Sequence, residues 1–251
     1  MKKTVVIFYF FFFTAICFGT EPDALFDSAG NAYSSGNFQK ASEYYESILS
    51  QGFESPEVYF NLGNAYFKID RIGLSVLNYE RAKKLLPHDD DIQYNLNLAN
   101  QRTVDKIESS PKFFFGEWWE NLKNLRSEKT WTLRSIFCFT LFLVFLAVFI
   151  VSKKAINRQV GFWFGVIFLL LAVSTFIIAE DRYRELSKKD TAVILVSSAE
   201  IKNAPAESGI KLFILHEGTK VNTIETNGDW VKIGLSQEKV GWIKKTAIEF
   251  I

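Results

Sequence analysis

The chain has 251 residues, 48% of them hydrophobic and 25 of them Phe, an apolar load heavy for a soluble protein and accounted for by residence in a membrane. Lys and Arg number 29 against 28 Asp and Glu, so there is no basic surplus of the kind that nucleic-acid binding needs. Two Cys (17 and 138) and two His (88 and 216), all in separate segments, leave no material for a disulfide framework, a Cys- or His-based metal site or a Ser-His triad, and neither a cofactor nor catalysis is expected.

Residues 1–19 have the anatomy of a secretory signal: Lys2-Lys3, an apolar run from Val5 to Ile16, then Cys17-Phe18-Gly19 with small residues at both ends. Cleavage after Gly19 frees a chain beginning Thr20-Glu21-Pro22. Two alternatives stand beside it: acylation of Cys17, against which the bulk of Ile16 argues, and retention of the segment as an anchor.

Residues 20–108 are helical by pattern and repeat themselves. A shift of 34 residues, without gaps, lays Leu25 on Tyr59, Ala29 on Gly63, Tyr33 on Phe67, Gly36 on Asp70, Ala41 on Ser75 and Tyr45 on Tyr79. Gly63, Ser75 and Ala82 are small enough for paired helices to approach closely, Tyr66 and Tyr79 fill the volume beside them, and Pro87 stops the second helix. The period and the order Tyr59, Leu62-Gly63, Tyr66, Ser75, Tyr79, Ala82, Pro87 resemble the tetratricopeptide repeat. Repeats are expected over about 22–55 and 56–89, with a capping helix over 91–104 whose Asp89-Asp90-Asp91 run suits a helix N-terminus. The resemblance implies a concave ligand face on Phe26, Tyr33, Phe60, Asn64, Phe67, Lys68, Tyr94 and Arg102; the competing reading has several of these aromatics packing between repeats. Phe60 stands where the carboxylate-binding variant of the family has Lys, so an extended or helical segment of another protein is the expected ligand.

After the break at Ser109-Ser110-Pro111, residues 109–130 carry Phe115, Trp118, Trp119, Leu122 and Leu125 at helical spacing between polar residues. This is the pattern of a helix lying in the bilayer interface, or else of one packing on the repeats. Two apolar runs follow, 133–151 and 160–179, each near the roughly 20 residues that span ~30 Å of hydrocarbon. Ile136 to Val151 includes 13 Leu, Ile, Val or Phe residues, which at the centre of a bilayer favour insertion by on the order of 5 kcal/mol. A hairpin buried in a soluble core would show a polar stripe, and none is present. The segment 152–159 between the runs has Lys153, Lys154 and Arg158 and no acid, which places it in the cytoplasm and both flanks outside. Gly161 and Gly165 have the small-xxx-small spacing that can seat a partner helix.

Residues 190–251 change period. Five short runs, Ala192–Val196, Lys211–Leu215, Lys220–Ile224, Trp230–Ile233 and Val240–Ile243, separated by turn signals, predict a small barrel. His216-Glu217-Gly218-Thr219, Asn227-Gly228-Asp229-Trp230 and Gly241-Trp242-Ile243 resemble the wording of bacterial SH3-like domains. Trp230 and Trp242 are expected to cover a small core, or to contact a ligand such as a peptidoglycan peptide or a protein.

The expected fold is thus a multidomain membrane protein: an all-α repeat array, a two-helix transmembrane hairpin and a small all-β SH3-like barrel. This order, with Tyr59-Phe60-Asn61-Leu62-Gly63-Asn64-Ala65-Tyr66, Asn78-Tyr79-Glu80-Arg81-Ala82 and Asn95-Leu96-Asn97-Leu98-Ala99-Asn100, resembles the BatE-type proteins of the bacterial aerotolerance operon over nearly the whole chain. The resemblance implies a non-catalytic inner-membrane subunit working beside von Willebrand A-domain membrane proteins and a MoxR-type ATPase in envelope stress tolerance. A peptidoglycan-binding or sensing protein is the alternative. A wall hydrolase is the weakest reading, because no segment is left over for a catalytic domain.

Overall fold

A computed structural model describes residues 21–106, 114–235 and 239–251; the expected export signal and the Ser109-Ser110-Pro111 break lie outside the described residues. Five helices open the described chain: α1 Glu21–Ser34, α2 Phe38–Ser50, α3 Pro56–Lys68, α4 Ile72–Leu85 and α5 Asp90–Arg102. The repeat is visible in their spacing, since α2 begins at Phe38 and α4 at Ile72, 34 residues on. Local chemistry sets the ends. Asn37, Ser55 and Asp89 accept from the amides of Lys40, Val58 and Ile92, each satisfying an otherwise orphaned donor in the first turn. Gly36 (φ 80°) and Asp70 (φ 62°) occupy the same left-handed position between the helices of successive repeats.

Close packing follows the small residues. A Cβ on Gly63 would lie 2.7 Å from the Tyr79 ring, and Ser75 Oγ donates to Gly63 O at 2.9 Å, so α3 and α4 meet at this point. Ala29, Ala41, Tyr45, Ile48, Val58, Leu62, Ala65 and Tyr66 form one buried cluster. Val76, Leu77, Tyr79, Leu96 and Ala99 belong to a second, completed from far along the chain by Val193 and Ile251.

Next come α6 Phe114–Asn124, α7 Glu128–Val151 and α8 Ala155–Ser187. The last two are long and apolar enough to cross a membrane. A Cβ on Gly161 would stand 2.7 Å from Phe149 N and 2.9 Å from Phe145 O. Gly161 therefore seats α7 of its own hairpin, where the sequence spacing offered it to a partner helix. Ser135 Oγ donates to Ala172 O at 3.1 Å, and Phe145 stacks on Phe164 and Phe168. The connection is shorter than expected, because α8 begins at Ala155 and leaves only Ser152, Lys153 and Lys154 between the helices.

At its other end α8 runs two turns past Ala179. Arg182, only 2% exposed, explains the extension: its Nη2 donates to Lys84 O (2.5 Å) and Leu85 O (3.5 Å), the last carbonyls of α4, while Nη1 meets Glu185 at 2.9 Å. The segment α6 lies against this extension. Trp119 Nε1 donates to Asp181 at 2.8 Å, Lys123 pairs with Glu185 at 3.1 Å, and Trp131 Nε1 donates to Lys123 O at 2.9 Å. Trp119 and Leu122 pack on Trp131, Ile178 and Ala179, whereas Phe114, Trp118 and Leu125 remain exposed.

The chain closes in an antiparallel sheet of seven strands: β1 Thr191–Ile194, β2 Ser198–Lys202, β3 Lys211–His216, β4 Lys220–Asn227, β5 Trp230–Gly234, β6 Val240–Lys244 and β7 Ile248–Phe250, in the order β3-β2-β6-β5-β4-β1-β7. Five were expected; β2 and β7 are the additions, the first because Ser198-Ala-Glu-Ile-Lys buries only Ala199 and Ile201. Ile194, Ile201, Leu215, Val221, Val231, Ile233 and Ile243 make the core. Trp230 and Trp242 are not in it. They share strands with Val231, Ile233 and Ile243 but stand one residue out of phase, on the opposite face.

Sheet and array form one interlocked body. Besides Val193 and Ile251, Glu80 pairs with Lys220 (2.7 Å), Arg81 with Glu249 (3.0 Å), Gly73 N donates to Glu217 (3.0 Å) and Lys84 Nζ to Ile251 O (2.9 Å). Asp105, just beyond α5, accepts from His216 N and from Thr219 Oγ1, both at 2.7 Å, and faces His216 Nδ1 at 3.2 Å. Gly218 (φ 83°) holds the turn between these two partners, and its missing Cβ makes room for the Thr103 methyl.

Candidate functional site

The array has a groove of about 240 Å³ lined by Tyr33, Asn64, Phe67, Lys68, Tyr79, Asn95 and Leu98. Its residues come from α1, α3, α4 and α5, so it exists only when both repeats and the last helix are stacked. Asn64 Oδ1 is the hub, accepting from the Tyr79 hydroxyl at 2.7 Å and from Asn95 Nδ2 at 3.2 Å. Burial pushes the Tyr79 phenol above its ordinary range, outweighing the Ser75 hydrogen bond, so Tyr79 remains a neutral donor at physiological pH. Beside the groove, the Arg102 guanidinium lies 5.2 Å from the Phe67 ring centroid and pairs with Asp70 at 2.8 Å.

The eight residues expected on the concave face divide into three groups. Tyr33, Asn64, Phe67 and Lys68 line the groove, and Arg102 flanks it. Tyr94 is 67% exposed but lies outside the lining. Phe26 sits edge-on to Tyr45 at 5.7 Å, and Phe60 is tilted on Tyr79 at 5.9 Å against the two flanking cores, so both serve packing between helices. Tyr79, Asn95 and Leu98 were not anticipated. Counting back from Arg102 by four and seven residues reaches Leu98 and Asn95 on one helical face; Tyr94, four residues before Leu98, falls at the edge of that face, about 100° from Asn95.

Chemically, the groove offers two aromatic surfaces, a side-chain amide pair and the exposed Lys68 ammonium. That combination suits a peptide segment whose backbone meets the amides, whose apolar side chain lies on Tyr33 or Phe67, and whose carboxylate reaches Lys68.

On the outer face of the sheet, Lys202 and Lys244 stand 5.3 and 5.9 Å from the Trp230 ring centroid, and Lys232 stands 5.9 Å from that of Trp242. Glu207 pairs with both Lys202 and Lys244. Trp242 is buried beneath its neighbours, while Trp230 is half-buried. Among the described residues no group of three or more His, Cys, Asp or Glu is placed to hold a metal ion. The chain matches no family model and no curated protein.

Proposed function

We propose that this chain is a membrane-anchored docking protein whose tetratricopeptide-type groove takes an extended or helical segment of a partner protein. The supporting observation is the groove itself, with Lys68 and Leu98 accessible beside Phe67 and the Asn64–Tyr79–Asn95 hydrogen-bonded floor. In this reading the hairpin spans the inner membrane, its Lys153, Lys154 and Arg158 tip stays cytoplasmic, and the array with its SH3-like sheet faces the periplasm. Interlocking of array and sheet supports a shared side for both. The chain acts without catalysis of its own. By its resemblance to BatE-type proteins, the partners are von Willebrand A-domain membrane proteins of a complex energised by a MoxR-type ATPase.

The test is in-cell crosslinking of full-length protein, comparing the wild type with a Lys68→Glu, Leu98→Asp variant. Both positions are exposed, so folding is disturbed by about 0.5 kcal/mol or less. The variant is expected to lose the crosslinked partner while keeping its thermal midpoint; the same partner captured equally by both forms would refute the groove assignment. The partial exposure of Trp230 favours a second reading, binding of peptidoglycan by the sheet. It is checked by co-sedimentation of the full chain in detergent with purified sacculi, with Trp230→Ala as the control.

A further inference from the structure

The apolar hairpin has a tip whose positive charge is unanswered among the described residues. Since α7 ends at Val151 and α8 begins at Ala155, the exposed Lys153, Lys154 and Arg158 stand together at one end of the pair. Residues 129–179 contain no Asp or Glu. The nearest acids along the chain, Glu128 and Glu180, belong to the other end of the hairpin, and the 24 residues of α7 put Glu128 roughly 35 Å away, several Debye lengths at physiological salt. Among the described residues no carboxylate pairs with any of the three cations.

Beside them a cavity of about 300 Å³ is lined by Phe149, Ala155, Arg158, Gln159, Phe162 and Trp163. The Arg158 guanidinium lies 5.5 Å from the Phe149 ring centroid, Phe149 tilts on Phe162 at 6.0 Å, and Phe162 meets Trp163 edge-on at 5.4 Å. The ring engages the cation by its face, which leaves the guanidinium N–H donors available, and among the described residues they meet no acceptor. Ile156, Val160 and Trp163, exposed and on one face of α8, extend the apolar wall of the cavity along the helix.

We propose that the hairpin tip binds one anionic phospholipid, of the phosphatidylglycerol class, from the leaflet on the loop's side of the membrane. Arg158 takes the phosphate, Lys153 and Lys154 supply the surrounding positive field, and the acyl chains begin along Val160, Phe162 and Trp163. Charge sets the preference. Choline and ethanolamine headgroups carry the same phosphate but add an ammonium that meets three unpaired cations, whereas a glycerol headgroup adds none. The aromatic wall sets the source, because a soluble phosphate or an acidic segment would leave Phe162 and Trp163 uncovered.

The inference rests on the hairpin spanning a bilayer, and its test separates the two ideas. The full chain, purified in detergent and delipidated, is titrated with phosphatidylglycerol, phosphatidylcholine or phosphatidylethanolamine, and retained lipid is counted by native mass spectrometry. One phosphatidylglycerol per chain is expected, about tenfold tighter than the other two, with the preference falling as salt rises. Arg158→Gln is expected to cut the preference about fivefold. Adding Lys153→Gln and Lys154→Gln is expected to erase it; all three positions are exposed, and work in detergent removes any effect on the direction of insertion. Arg134→Gln makes the same charge change near the opposite end of α7 and is expected to leave the preference intact. Equal retention of the three lipids, a preference that survives the triple variant, or a loss as large in Arg134→Gln as in Arg158→Gln overturns the site. Hexaglutamate or inorganic phosphate binding as tightly as phosphatidylglycerol overturns the lipid as its occupant. A chain that stays monodisperse without detergent or lipid overturns the span instead; one that needs detergent yet shows no preference overturns the lipid site alone.

Discussion

Asp105 is the most exacting point at which to perturb the molecule. Its carboxylate takes two 2.7 Å hydrogen bonds from groups on the sheet, one of them from Thr219, which is 1% exposed. Asp105→Ala leaves that buried hydroxyl and the part-buried His216 amide without their acceptor, each costing about 1–3 kcal/mol. Taking a total of about 3 kcal/mol, the thermal midpoint of a chain this long falls by roughly 6–12 °C. The assay is thermal unfolding of the full chain in detergent, with hydrogen exchange over residues 214–222 as the local readout. A double variant, Asp105→Ala with Thr219→Val, removes donor and acceptor together and is expected to recover part of the loss. Purely additive losses, or a single-variant shift below 2 °C, would refute the assignment of Asp105 as the tie between array and sheet. The same group supplies a pH test. Burial by itself would raise the Asp105 pKa, but the His216 amide, the Thr219 hydroxyl and the His216 ring together hold it below its ordinary 3.8. Its contribution is therefore complete above that value and is lost as pH falls through the lower folded-state pKa, a loss absent from Asp105→Ala.

Other positions give sharper yes-or-no outcomes. Gly161→Leu places atoms where Phe149 N already lies 2.7 Å away, and is expected to open the hairpin and destabilise it by about 1–3 kcal/mol, read as a lowered unfolding midpoint in detergent. Gly63→Val drives a side chain into the Tyr79 ring and should cost a similar ~1–3 kcal/mol, together with loss of groove binding. Asp70→Gly removes a left-handed non-glycine residue at φ 62° and is expected to leave stability unchanged or raise it by up to about 1 kcal/mol. Protease added to intact spheroplasts should cut the 203–209 turn; cutting only after lysis would reverse the proposed topology.

Much of the helical half was legible because its rules are local. The Asp89 run at a helix start, the 34-residue offset and the small residues facing Tyr79 are all short-range signals; the caps at Asn37 and Ser55 are equally local but were not singled out. The two apolar helices follow from length and composition alone. What escaped depends on distant partners. The polar run Glu180 to Lys189 gave no sign that a helix would carry Arg182 to the end of α4, because the acceptors belong to residues 84 and 85. Strands β2 and β7 alternate polar and apolar residues, but over only five and three positions, too few to stand out as a period. The Asp105 contact joins residues more than a hundred positions apart, and no spacing rule reaches that far. At the groove, the choice between Tyr94 and Asn95 turned on one residue of helical phase, which aromatic character obscured.

The uninterrupted course of α8 from Ala155 to Ser187 carries a mechanical consequence. A 33-residue helix is a shaft of about 50 Å, and with Arg182 gripping α4 the shaft and the groove turn together. Inserting one residue after Ala179 would swing the groove by about 100° around the shaft, whereas four residues would nearly restore its bearing while lifting it by about 6 Å. Bearing and height above the bilayer can thus be altered separately. An insertion series there would show whether the partner proposed for the groove is selected by the direction in which the groove faces or by its distance from the proposed membrane.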